Sequence, residues 1–180
     1  MPLIIDMQRG FNHMDRDNVK QLTLVALFAA LVTVSIYLFR IPSFDGKLYF
    51  HLGETMMIAG AFILGKRNGA LAAGIGSALA DMLLGAPYWA PISFIIHGAQ
   101  AWAIAALSDG KLEKKDLIAM GVGAVIVILG YCIAAWNIYG WVAVPMEFVG
   151  DILQTSFGIA SAYAFLKALR RVKPDLFEKK

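Results

Sequence analysis

Residues 54–85 read ETMMIAGAFILGKRNGALAAGIGSALADMLLG, two apolar, small-residue runs joined by Gly65-Lys66-Arg67-Asn68-Gly69. The turn decides the fold, because two cations cannot sit in hydrocarbon. If both runs are helical, Lys66 and Arg67 return the chain to the side of the membrane it came from, as a tight helical hairpin. Two long re-entrant segments fit the same letters, but the hairpin keeps Lys66 and Arg67 with the other cations. Outward from it, apolar runs near 22–39, 50–65, 69–85, 90–108, 116–136 and 145–169 give six candidate spans. All of the 16 Lys and Arg except Arg40 and Lys47 then fall in the N-terminal arm, the second and fourth connections and the C-terminal tail. Basic residues are retained in the cytoplasm during insertion, so the reading is an all-α six-transmembrane-helix bundle with both termini cytoplasmic.

Composition agrees. The chain is 59% hydrophobic and 16% charged, with a mean hydropathy of +0.65, too apolar for a soluble domain of this size. The expected organisation is a cytoplasmic N-terminal arm over 1–18, a membrane domain over 19–171 and a basic tail over 172–180. The arm has weak periodicity, and residues 1–15 are expected to be mobile or peripherally bound. Polar residues 1–20 hold no apolar stretch of a cleavable signal peptide. The net charge of +3 follows from topology and implies no acidic partner. The one cysteine, Cys132, lies inside the fifth span, so no internal disulfide forms. There is no room for a soluble catalytic domain and no Walker A pattern, so no nucleotide site is expected. Gly74-Ile75-Gly76 lacks the third glycine and the preceding strand of a dinucleotide loop.

Ionisable groups inside spans are costly and therefore informative. Placed by depth, Glu54, Asp81, His97, Gln100, Asn137, Glu147, Asp151 and Gln154 all fall in the outer half, while the inner halves are apolar and small. That pattern predicts an outward-opening pocket closed below rather than a channel. Tyr49, Tyr88 and Trp89 complete the candidate substrate-binding set. Outer aromatics usually form an interfacial belt, but Tyr88-Trp89, held between Pro87 and Pro91, is stiff enough to wall a pocket for a flat aromatic ligand. Glu147 has the plainer alternative of starting a helix, and His97 that of a satisfied buried histidine. One such histidine and scattered acids lack metal-ligand spacing, so no metal site is predicted. Ala26 and Ala30 in span one, and Ala70, Gly74 and Ala78 in span three, form small-residue stripes that let helices approach closely, by default within the bundle.

Tyr49-Phe-His-Leu-Gly-Glu54, the run Gly69 to Asp81, Pro87-Tyr-Trp-Ala-Pro91 and Phe94-Ile-Ile-His-Gly98 resemble the substrate-binding S components of energy-coupling factor (ECF) vitamin transporters. The likeness covers about residues 19–170 and is nearest to the hydroxymethylpyrimidine or pyridoxine subgroup. In that subgroup lysine is common where His97 stands and aspartate where Glu54 stands. The resemblance implies a non-enzymatic subunit of the bacterial plasma membrane that captures a vitamin from outside, with the loop between spans one and two as a lid. It would then associate with a transmembrane coupling subunit and two cytoplasmic ATPases and topple to release the ligand. This chain itself would bind no cofactor, the ATP being used by its partners. Ala26 and Ala30 match the alanine motif that docks such subunits on the coupling protein; the next step, Val34, departs from it. Two rival classes are an intramembrane acid–base enzyme, which lacks a nucleophile beside a base, and a self-sufficient proton-coupled carrier, which lacks a polar inner route.

Overall fold

The computed structural model describes the backbone of residues 2–43 and 48–174 and the side chains of residues 18–40 and 51–174. Five helices are joined in sequence: α1 (Pro2–Leu38), α2 (Glu54–Leu83), α3 (Ala90–Leu107), α4 (Lys114–Tyr139) and α5 (Val144–Val172), the last preceded by a 3-10 turn at Trp141–Ala143. Among the described residues, four stretches are long and apolar enough to cross a membrane: Asn18–Leu38, Ala90–Leu107, Lys114–Tyr139 and Trp141–Val172.

α2 is two helices. Gly65 breaks it with φ 76° and ψ −172°, a conformation that L side chains avoid. The chain folds back there so tightly that a Cβ on Gly69 would lie 2.9 Å from the Cα of Ala61. In a continuous helix two residues eight apart would be about 12 Å apart along the axis. The hairpin read from the sequence is therefore present. Its first arm, residues 54–64, is only about 16 Å long, too short to span alone.

The all-helical class holds, with one short exception. Arg40–Ser43 (β1) and Leu48–His51 (β2) pair antiparallel, with Arg40 opposite His51 and Ile41 opposite Phe50. The second helix thus starts at Glu54, not near residue 50. Tyr49-Phe50-His51 is a short apolar run with aromatic strand formers, and such a run does not distinguish strand from helix by its letters. Asp45-Gly46 between the strands is the hairpin signal that the apolar-run reading passed over.

The side chains are distributed as lipid-facing helices require. Ala29, Ala59, Ala61, Ala72, Ala73, Ala80, Ala101 and Ala119 are buried, while Leu22, Ile95, Ile118, Leu129, Ile133, Leu153 and Phe157 are exposed. Small residues inside let helices approach closely where no hydrophobic drive separates protein from solvent. α2 packs on α1, α3 and α5, and α4 lies against α3 and α5. The Thr33 hydroxyl sits 2.9 Å from the carbonyls of both Ala29 and Gly76, tying α1 to α2. Tracing the helices up and down puts the β-hairpin, residues 84–89 and Trp141–Ala143 at one end of the bundle. At the other end are the Gly65 turn with Lys66 and Arg67, the 108–113 connection and the C-terminus of α5. There Asp116, fully buried, accepts the N–H groups of Asp109 and Leu112 at 2.8 and 2.6 Å, and Arg170 donates to the carbonyl of Lys111.

Candidate substrate cavity

At the β-hairpin end the helix termini surround a cavity of about 440 Å³, mouth included, lined by Ile36, His51, Ser77, Asp81, Trp89, Ser93, His97, Tyr131, Glu147, Asp151 and Gln154. Below it the bundle is filled by Ile58, Ala61, Ala101, Ile104, Met120, Ala162 and Leu166. These residues form the apolar core of the bundle.

Six of the sequence-selected residues line the wall together: Asp81, Trp89, His97, Glu147, Asp151 and Gln154. Helical spacing accounts for most of this. Glu147, Asp151 and Gln154 recur at four and three residues along α5, on one face. Gln154 also accepts the backbone N–H of His51 at 2.8 Å, which ties the β-hairpin to α5. Glu54 and Gln100, each 1% exposed, stand behind the wall. There the Gln100 amide nitrogen donates to Glu54 Oε2 at 2.6 Å, and its Oε1 lies 2.9 Å from His97 Nδ1.

Two of the selected residues are placed otherwise, and the side chain of a third is not described. Tyr88 is 51% exposed and does not line the cavity. Its hydroxyl meets that of Tyr139 at 2.5 Å, and Tyr139 accepts the Trp89 indole N–H at 3.2 Å. Tyr88 thus helps orient Trp89, the wall residue, from outside. Asn137 is exposed and donates to the carbonyl of Ile133, one turn back in its own helix. Six residues beyond Tyr131, it lies on a different face of α4 from the one that reaches the cavity. The Tyr49 side chain lies outside the described residues; its backbone pairs with Pro42.

The sequence reading missed Ile36, His51, Ser77, Ser93 and Tyr131. Ser77 and Ser93 stand four residues before Asp81 and His97, so the same helical faces pointed to them. Tyr131 donates to Ser93 Oγ at 2.7 Å. Its ring lies 5.5 Å from that of His97 and 5.8 Å from that of Trp89. His51, two residues from Tyr49 along β2, lies 5.8 Å ring to ring from His97. Its Nδ1 accepts the Gly53 N–H at 3.2 Å. Burial, with His97 beside it, holds the His51 imidazole down at about 3, so it is neutral.

The wall carries three carboxyl groups, Asp81, Glu147 and Asp151, and among the described residues no Lys or Arg lines it. Two buried atoms of lining residues have no hydrogen-bond partner among the described residues, His97 Nε2 and Asp151 Oδ2. Buried polar atoms are normally satisfied, so such atoms in a cavity wall are places for ligand donors. No cluster of three His, Cys, Asp or Glu suited to a metal occurs among the described residues.

Comparison with known proteins gives this membrane bundle a family. The family described as "ECF-type riboflavin transporter, S component" matches residues 16–171. The chain belongs to this family of S components, which are transport proteins of the cell membrane. Among its relatives is a protein of Pyrococcus woesei named "Uncharacterized protein in gap 3'region", 34% identical over 71% of this chain and 86% of its own. Another is the "Thiamine precursor transporter HmpT" of Lactococcus lactis subsp. cremoris (strain MG1363), 28% identical over 88% of this chain and 92% of its own.

Proposed function

We propose that this chain is the substrate-binding subunit of an ATP-driven ECF importer, taking up a small nitrogen heterocycle of the hydroxymethylpyrimidine or pyridoxine kind. The observation that carries the reading is the cavity wall: an aromatic and imidazole surface (Trp89, Tyr131, His51, His97) beside three carboxyl groups. A flat ring stacks on the first, and amino or hydroxyl donors meet the second. The Lactococcus relative is named as a thiamine precursor transporter, which supports a vitamin precursor as the ligand.

The two arms of α2 make six membrane segments in all, with both termini at the end that carries Lys66, Arg67, Lys111, Arg170 and Arg171. That end is cytoplasmic, and the cavity faces outside. The β-hairpin, tethered through His51 and Gln154, is the lid over the ligand. On α1, Val25, Ala29, Val32 and Thr33 face the bundle, whereas Ala26 and Ala30 are exposed among Leu22, Leu27 and Val34. Ala26 and Ala30 form the docking face for the coupling subunit, which works with two ATPases; this chain uses no ATP itself.

The test is uptake into proteoliposomes. Radiolabelled hydroxymethylpyrimidine or pyridoxine accumulates only when the coupling subunit and both ATPases are reconstituted with this chain and ATP is present. Accumulation by this chain alone, driven by a pH gradient, would instead make it a self-sufficient carrier.

A further inference from the structure

His97 is fully buried, and its two ring nitrogens have different surroundings. Nδ1 is 2.9 Å from Gln100 Oε1 and 3.7 Å from Glu54 Oε1, while Nε2 has no hydrogen-bond partner among the described residues. Gln100 in turn donates through Nε2 to Glu54 Oε2 at 2.6 Å. The bond turns the amide nitrogen of Gln100 towards Glu54 and its carbonyl towards His97. A carbonyl only accepts, so Nδ1 carries a proton, and in a ring with one proton Nε2 is then the acceptor. Neither Glu54 nor Gln100 lines the cavity, whereas His97 does.

We propose that Glu54 and Gln100 are positioning residues that lock His97 as its Nδ1–H tautomer, so that Nε2 stands in the wall as an acceptor requiring a hydrogen donor, a hydroxyl or amino group, on the ligand. The proposal rests on reading the cavity as the heterocycle site and adds the rule by which that site selects. Asp151 Oδ2, also buried, has no hydrogen-bond partner among the described residues. An ether or a methyl in place of the ligand's hydroxyl leaves Nε2 unsatisfied.

The experiment uses the full chain with 15N-labelled histidine, the His97 signals being assigned by loss in His97→Ala. Two-bond proton–nitrogen correlations distinguish a protonated Nδ1 from a protonated Nε2. Wild type is expected to show Nδ1–H at His97. On the same protein, 4-amino-2-methylpyrimidine carrying hydroxymethyl, methoxymethyl or methyl at position 5 is titrated. The hydroxymethyl compound should bind about 10-fold or more tighter than the other two.

In Glu54→Gln the residue at 54 presents either a donor or an acceptor, Gln100 is free to turn round, and both His97 tautomers should appear. The preference for the hydroxymethyl compound should then shrink to about threefold or less. Gln100→Met keeps the side-chain length, removes both bonds and should have the same two effects, which covers the case in which Glu54→Gln does not fold. A merely structural role for the pair would lower thermal stability without moving the tautomer. An Nε2–H signal in wild type, equal affinity for the methoxymethyl compound, or a folded variant that keeps both tautomer and preference would overturn the relay. If none of the pyrimidines binds, the functional reading is at fault, and the wild-type spectrum still decides the relay.

Discussion

Gly158 on α5 lies directly against the Cβ of Glu54 on α2, so close that a side chain at 158 would occupy the space of the glutamate stem. Glu54 is 1% exposed, and no exposed volume is near for it to move into. The glycine is therefore what lets the carboxylate stand behind His97. Gly158→Ala should cost about 1–3 kcal/mol of stability through overpacking. It should also weaken ligand binding, since the Glu54–Gln100–His97 chain must shift. Thermal unfolding and titration on the same preparation check both; a variant with lowered stability but unchanged affinity would separate the seat of Glu54 from the ligand.

Wall residues and core residues should behave differently. Removing one hydrogen-bonding partner from a buried polar site costs about 1–3 kcal/mol, or roughly five- to a hundredfold in affinity. Asp81→Ala, His97→Ala and Gln154→Ala are each expected in that range. Ile104→Ala, fully buried in the core, should lower stability by about 2–5 kcal/mol and leave affinity near wild type. The checks are calorimetric titration for the first three and thermal unfolding for the fourth.

Ala26 and Ala30 face outward, so enlarging them should not disturb the bundle. Ala30→Leu is expected to lower copurification with the coupling subunit while ligand affinity and thermal stability stay near wild type, because the added methylenes hold a partner helix away. A destabilised Ala30→Leu with its complex intact would show that this face packs within the chain instead.

His51 gives a pH dependence of defined sign. Its folded value is held at about 3 by burial, whereas a free imidazole titrates near 6.5. Between these values the unfolded chain binds the proton and the folded one does not. This contribution therefore leaves stability unaffected above the unfolded pKa and lowers it as the pH falls from about 6.5 towards 3, by up to about 1.4 kcal/mol per pH unit. His51→Gln removes that slope. The quantity to measure is the difference between wild type and His51→Gln in unfolding temperature from pH 7 to pH 4, expected to move against wild type as the pH falls.

The helical hairpin was legible because Lys66 and Arg67 sit between Gly65 and Gly69: a charge pair and a backbone break in one short turn leave few alternatives. The acid-bearing wall was legible for a similar reason, since Asp81, His97 and Asp151 are costly wherever they lie in a span. The β-hairpin was not, because Tyr49 and Phe50 extend an apolar run without marking its conformation. Ser77 and Ser93 read as ordinary small packing residues, and only their four-residue offset from Asp81 and His97 marks them. The roles of Gly158 and Gln100 are set by contact between helices far apart in sequence, and no local pattern encodes such a contact. Asn137 shows the opposite error. Position along a span says nothing about which face of α4 turns inward.

The account rests on the cavity at the β-hairpin end being a ligand site complete within this one chain. Calorimetric titration of the purified chain, without coupling subunit or ATPases, against a panel of vitamins and their precursors tests that most directly. The expected result is saturable binding of one small nitrogen heterocycle per chain, with the compound recovered unchanged by mass spectrometry. A folded, monodisperse protein that binds no heterocycle in the panel, or that converts the bound compound to a product, would contradict it.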